Sequence, residues 1–172
     1  MFMNFLRTNR YAAGALTLIR LYIGWMWVTA GFGKVTGGFS AEGYLMGVVN
    51  NPAVLEQYPT YHAFIEGFAV PNAELFSYMV AWGELFVGLG LIFGVFTTAA
   101  AFFGIMMNFA FLFAGTISSN PWMILFTIFI LAAGANAGRY GGDRWAIPYM
   151  KGFINNKRNG GQRIQGDVAN AA

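Results

Sequence analysis

The sequence predicts an all-α integral membrane protein built as a bundle of four membrane-spanning helices. Three observations carry this expectation. The chain is 57% hydrophobic and only 10% charged, where a soluble domain carries about 25% charged residues. Four predominantly apolar stretches, each near the roughly 20 residues that cross a bilayer core, lie at about 13–35, 74–95, 98–116 and 121–140. The basic residues collect outside them: Arg7 and Arg10 precede the first stretch, and Arg144, Lys151, Lys157, Arg158 and Arg163 follow the last. Residues 1–150 are therefore expected to form one transmembrane domain, and 151–172 a basic, disordered cytoplasmic tail rich in Asn, Gly and Gln.

The first apolar run is as long as a full span and others follow it, so it reads as a retained helix rather than a cleaved signal. Within it Arg20, Gly24, Trp27, Gly31 and Lys34 recur at spacings of 4, 3, 4 and 3 and form one helix stripe. Its glycines permit close helix approach. Lys34, near the outer end, has two open readings: a ligand contact, or a side chain that snorkels to the interface.

The 36–73 connection carries Glu42, Glu56 and Glu66 but no Lys or Arg. The positive-inside rule then places this loop outside and both termini in the cytoplasm. Ser40 can cap one short helix ending before Asn50-Asn51-Pro52, and Thr60 a second in which Tyr61, Phe64, Ile65 and Phe68 share a face. Two short interfacial helices over the mouth of the bundle are expected. His62 and Glu66, at i and i+4, read as a surface pair or alternatively as a proton relay. Asn72 is placed to cap the second span, with Glu74 in its first turn.

Because lipid offers no hydrogen bonds, each polar residue inside a span is a candidate site. Glu84, in the second span, is expected about 15 Å below the outer boundary and Arg20 about 10 Å above the inner one. These depths differ by about 5 Å in a core of roughly 30 Å, so an Arg20–Glu84 pair is expected. The pair reads either as a register-fixing contact or as a catalytic carboxylate tuned by burial and by Arg20. Asn108 in the third span and Asn136 in the fourth can join the same interior, while Arg139 and Asp143 read as a structural ion pair. Trp25 and Trp122 suit an interfacial belt; Trp27 and Trp82 lie deeper and can flank a flat ring. With no cysteine and one histidine, thiolate metal sites, bis-His haem and zinc sites of the usual ligand count are excluded, and no metal site is expected.

The stretches "IRLYIGWMWVTAGFGKV" (19–35), "WGELFVGLGLIFGVFT" (82–97), "FAGTISSNP" (113–121) and "AGANAGRYGGDRW" (133–145) together resemble the DoxX/DoxD membrane protein family, most nearly its DoxD-like thiosulfate dehydrogenase (quinone) membrane subunits. The resemblance spans about Leu18 to Trp145 and departs at Gly141-Gly142-Asp143, where many relatives read Ser-Leu-Asp. It implies a four-helix membrane protein that passes electrons to a membrane quinone, with thiosulfate oxidised to tetrathionate in the best-known members and an externally facing second subunit as partner.

The leading functional expectation is thus a quinone-linked oxidoreductase subunit in the cell membrane of a bacterium or archaeon. Glu84 and Arg20 stand as its catalytic candidates, and Trp27, Lys34, Trp82, Asn108 and Asn136 as its substrate or quinone contacts. The expected cofactor is the quinone, and the expected partners are lipid, quinone and further subunits, not nucleic acid. Two alternatives belong to other classes: a non-catalytic anchor of a redox or oxidative-stress complex, and a small transporter or proton pathway.

Overall fold

The computed structural model of the chain describes residues 1–155. The part of the expected tail at 156–172 lies outside the described residues. The described residues form helices α1 (Phe2–Thr8), α2 (Arg10–Thr36), α3 (Glu42–Val49), α4 (Pro52–Gln57), α5 (Pro59–Phe64), α6 (Ala73–Phe93), α7 (Thr97–Phe113) and α8 (Asn120–Ala133), with no strand among them. A π turn, Ile65–Ala69, follows α5, and a 3-10 turn, Gly134–Gly138, follows α8. A last helix covers 143–155 and so continues past residue 151, where the disordered tail was expected to begin.

Helices α2, α6 and α8 with its 3-10 extension are long and apolar enough to cross a membrane. Helix α7 is also apolar and, at 17 residues, about 26 Å long. Neighbouring contacts run α2 to α6, α6 to α7, α7 to α8 and α8 back to α2, which closes a four-helix bundle. Leu16, Ile23, Trp27, Val87, Leu91, Ala101 and Ile130 fill its interior. Large side chains such as Leu18, Phe86, Phe93 and Phe103 point outward, as a lipid-facing surface requires.

Each helix boundary has a local cause. Asn9 caps α2 by accepting hydrogen bonds from the backbone N–H groups of Tyr11 (2.7 Å) and Ala12 (3.2 Å). Gly94, at φ +62°, ends α6 in the left-handed conformation that glycine adopts without strain. Gly134, at φ +57°, ends α8 seven residues before the expected limit of the fourth span. The chain then winds as a 3-10 turn, and this change of period alters which side chains align beyond it.

The bundle has two dissimilar ends. At one, α1 meets the end of α8 and the 3-10 turn: Asn136 Nδ2 donates to the carbonyls of Leu6 (2.7 Å) and Asn9 (3.0 Å), and Arg7 Nε donates to that of Ala132 (3.0 Å). At the other, α3, α4, α5 and the π turn form a cap with its own core of Ala41, Leu45, Val48, Val54, Ile65 and Ala69. Two short helices were expected there and three are found, because Asn51 caps an additional one by accepting from Ala53 N–H. Ser40 does accept from Glu42 N–H, at 3.3 Å, whereas Thr60 lies inside α5, which Pro59 starts. Phe64 and Phe68 are exposed while Ile65 is buried, so the expected common face is split by the π turn. Asn72 stands at the N-cap of α6, but its amide donates to Phe68 O instead.

Candidate functional site

The expected stripe on α2 faces α6 along its length. A Cβ placed on Gly24 would lie 3.0 Å from Gly88 O, and one on Gly88 would lie 2.5 Å from Val28 N. A Cβ on Gly31 would run into the backbone of Leu85. The two backbones therefore touch at both crossings, which only glycine allows. This antiparallel contact fixes the register: Gly24 lies against Gly88 and Ile92, Gly31 against Glu84 and Leu85, and each further residue of α2 takes its place accordingly.

That register pairs Glu84 with Lys34, not with Arg20. Lys34 Nζ lies 2.6 Å from Glu84 Oε2, with the lysine side chain 27% exposed and the glutamate side chain 3%. Arg20 packs instead against Gly94 and Gly141, ten positions further along α6, or about 15 Å away. The expected depths misled because α2 is 27 residues long and begins at Arg10, so Arg20 sits level with the α6–α7 turn. Arg20 is buried, and its Nε and Nη1 have no hydrogen-bond partner among the described residues.

Asp143 is the charge that acts on Arg20, but its own hydrogen bonds go elsewhere. Its two carboxylate oxygens accept from the backbone N–H groups of Phe96 (2.7 Å) and Thr97 (3.0 Å), so it caps α7 from a distant part of the chain. The expected Arg139–Asp143 pair is absent among the described residues, and Arg139 donates weakly to Thr8 O at 3.4 Å. The i, i+4 spacing loses its meaning once the 3-10 turn interrupts the helix.

Asn136 is likewise displaced from the interior. Its amide ties α1 to the end of α8. Trp82 is 43% exposed and packs on Phe86 at the outer surface rather than closing the interior. His62 is buried, with Nε2 2.9 Å from Val49 O, while Glu66 is exposed and 3.8 Å from Nδ1. The expected surface pair is therefore half internal, a strut between α5 and α3.

Trp27 and Asn108 stay inside the bundle. Trp27 Nε1, Asn108 Nδ2 and Asn108 Oδ1 are all buried without a hydrogen-bond partner among the described residues. Buried polar groups are overwhelmingly partnered, so three such atoms at mid-bundle mark a place where a ligand would gain hydrogen bonds. Gly104 lies beside them: a Cβ there would sit 3.4 Å from Trp27 Nε1 and 3.1 Å from Val87 Cγ1. Val87 is also in the wall of an apolar groove of about 990 Å³ between α6 and α7, with Gly83, Phe86, Gly90, Phe103 and Met107. The groove opens toward the lipid-facing surface, where Phe86 and Phe103 are exposed.

A second cavity, of about 520 Å³, opens at the capped end and reaches Lys34. Glu42, Glu74, Ser77, Tyr78 and Trp82 line it as well. Lys34 is neutralised by Glu84, so the two further carboxylates make this cavity net negative. Glu42 reads in the sequence only as an acid of the 36–73 connection and Glu74 only as a first-turn residue of the second span, and nothing in the sequence brings them to one pocket.

Neither the curated proteins nor the solved structures contain a match to this chain. A family model, DoxX, does match it over residues 15–116. That stretch runs from the first membrane helix to the turn after α7 and contains the glycine crossings, the Lys34–Glu84 pair, Trp27 and Asn108. An apolar helical bundle of this kind, matched over more than half its length, belongs to the DoxX family of membrane proteins.

Proposed function

We propose that the protein is the membrane subunit of a quinone-linked redox complex and that the quinone headgroup binds at Asn108 and Trp27. The observation that carries this reading is the group of unpartnered polar atoms, Trp27 Nε1 and both side-chain polar atoms of Asn108, one residue layer behind an apolar groove open to lipid. A headgroup with two carbonyls and an isoprenoid tail has the matching chemistry. A bound quinone would supply a two-electron, two-proton acceptor. Trp27 Nε1 and Asn108 Nδ2 would donate hydrogen bonds to a ring carbonyl, and Asn108 Oδ1 would accept one from a ring hydroxyl of the reduced form. The groove residues Phe86, Phe103 and Met107 hold the tail and exclude water.

Protons reach this interior through the Lys34–Glu84 pair. Lys34 opens on the outer cavity and Glu84 is turned inward, so the pair joins aqueous and buried surroundings. Electrons come from a partner subunit seated on the capped end. The finer reading, oxidation of thiosulfate to tetrathionate, is weakened for a donor entering by this cavity, because Glu42 and Glu74 repel a dianion. On this reading the capped end faces outward from the cell membrane and both termini face the cytoplasm, in keeping with the arginines at the terminal end.

The test is quinone retention. Protein purified in mild detergent is expected to carry ubiquinone or menaquinone at a stoichiometric level. Asn108→Leu is expected to lower retention roughly tenfold while leaving thermal stability unchanged or higher, since it removes unsatisfied polar atoms. Quinone-free wild type, or equal retention in Asn108→Leu and Trp27→Phe, would overturn the proposal.

A further inference from the structure

The terminal end of the bundle carries a basic pocket that the redox reading does not use. Arg7, Arg10, Arg139 and Arg144, with Tyr140 and Asp143, line a cavity of about 610 Å³. Asp143 is the one carboxylate in this lining, against four arginines, so the pocket stays net positive. Among the described residues none of the four arginines has a carboxylate partner. Arg7 uses Nε on Ala132 O, which leaves its terminal nitrogens available. A second cavity of about 510 Å³ adjoins the first and shares Arg10 and Arg139 with it.

The surroundings set the depth of this pocket. Helix α1 exposes Phe2, Met3 and Phe5 beside it, and the last helix exposes Trp145, Tyr149, Met150, Phe153 and Ile154. Exposed apolar and aromatic faces on short helices next to a bundle of this kind lie in the headgroup region, with Trp and Tyr at the boundary. A planar guanidinium fork matches phosphate oxygens in pairs, and basic pockets at such boundaries recognise lipid headgroups.

We infer that the arginine pocket at the terminal end binds the headgroup phosphate of an anionic phospholipid. The ligand chemistry is a phosphodiester. The flanking apolar helices favour a lipid over a free anion, because they hold the pocket at the level of lipid phosphates. The inference is independent of what binds at Asn108.

The test is a competition read by native mass spectrometry on the full chain. Protein is equilibrated with equimolar phosphatidylglycerol and phosphatidylcholine of the same chain length, and the retained lipid is identified. Wild type is expected to retain phosphatidylglycerol selectively. Arg10→Gln with Arg144→Gln is expected to lower that preference roughly thirtyfold, with size-exclusion profile and helix content unchanged. Arg10→Lys with Arg144→Lys keeps the charge and is expected to keep most of the preference. The inference fails if wild type shows no preference or if the glutamine pair leaves it intact. It also fails if inorganic phosphate alone stabilises the detergent-solubilised protein as well as phosphatidylglycerol does, since the ligand is then a free anion.

Discussion

Lys34 on α2 and Glu84 on α6 form a close ion pair, 2.6 Å apart, on a helix contact whose two other fixed points are glycines. The glutamate is buried and the lysine reaches the cavity at the capped end, so the pair is both a register pin and the only one of the two ion pairs among the described residues that joins two membrane helices.

Removing one member leaves the other charge in a low-dielectric surrounding. Glu84→Gln and Lys34→Met are each expected to destabilise the protein by about 2–3 kcal/mol, and the double variant by less than the sum. Reversible unfolding in mixed micelles supplies the cycle. Strict additivity would contradict a direct pair.

The glycine crossing makes a steric prediction. Gly88→Leu is expected to cost about 1–3 kcal/mol by forcing α2 and α6 apart, and the Lys34–Glu84 contact loosens with it. Gly33→Leu is the control, because a Cβ at Gly33 meets nothing within 4 Å among the described residues. Thermal melts of the two variants should separate clearly; equal melts would disprove the close approach.

Asp143 acts as the cap of α7 rather than as the partner of Arg139. Asp143→Ala is expected to cost about 1–2 kcal/mol, with Asp143→Asn intermediate, whereas Arg139→Gln changes little. If the two positions proved equally costly and coupled in a double-mutant cycle, the ion-pair reading would return.

Tyr61 ties the helical cap to α7 through a 2.8 Å hydrogen bond from its hydroxyl to Ala110 O. Burial, and secondarily Tyr44, pushes this hydroxyl up to about 12. The neutral form is the one that folding favours, so its contribution is fully present below the unfolded value near 10 and declines from there up to about 12. Tyr61→Phe is expected to cost about 1 kcal/mol at neutral pH and to flatten this alkaline decline. A pH series of melting curves reads both effects, and an identical decline in the variant would refute the assignment.

The sequence by itself determined the membrane class, the four apolar helices and the α2 stripe that faces α6. Those follow from composition, span length and 3.6-residue periodicity, which are local properties. It also singled out Trp27 and Asn108, since a polar group in an apolar span is conspicuous without any partner. Partners were another matter. Glu84 was assigned to Arg20 because depth was counted from span ends, and the true register is set by Gly24, Gly31 and Gly88 meeting α6 at fixed levels.

Asn136, Arg139 and Asp143 were aligned on a helix that in fact ends at Gly134, so a single backbone reversal redirected all three. The cavity at the capped end and the arginine pocket draw residues from segments far apart in the chain. No periodicity encodes such meetings. Only the tertiary structure decided them, because they depend on how closely two backbones can approach.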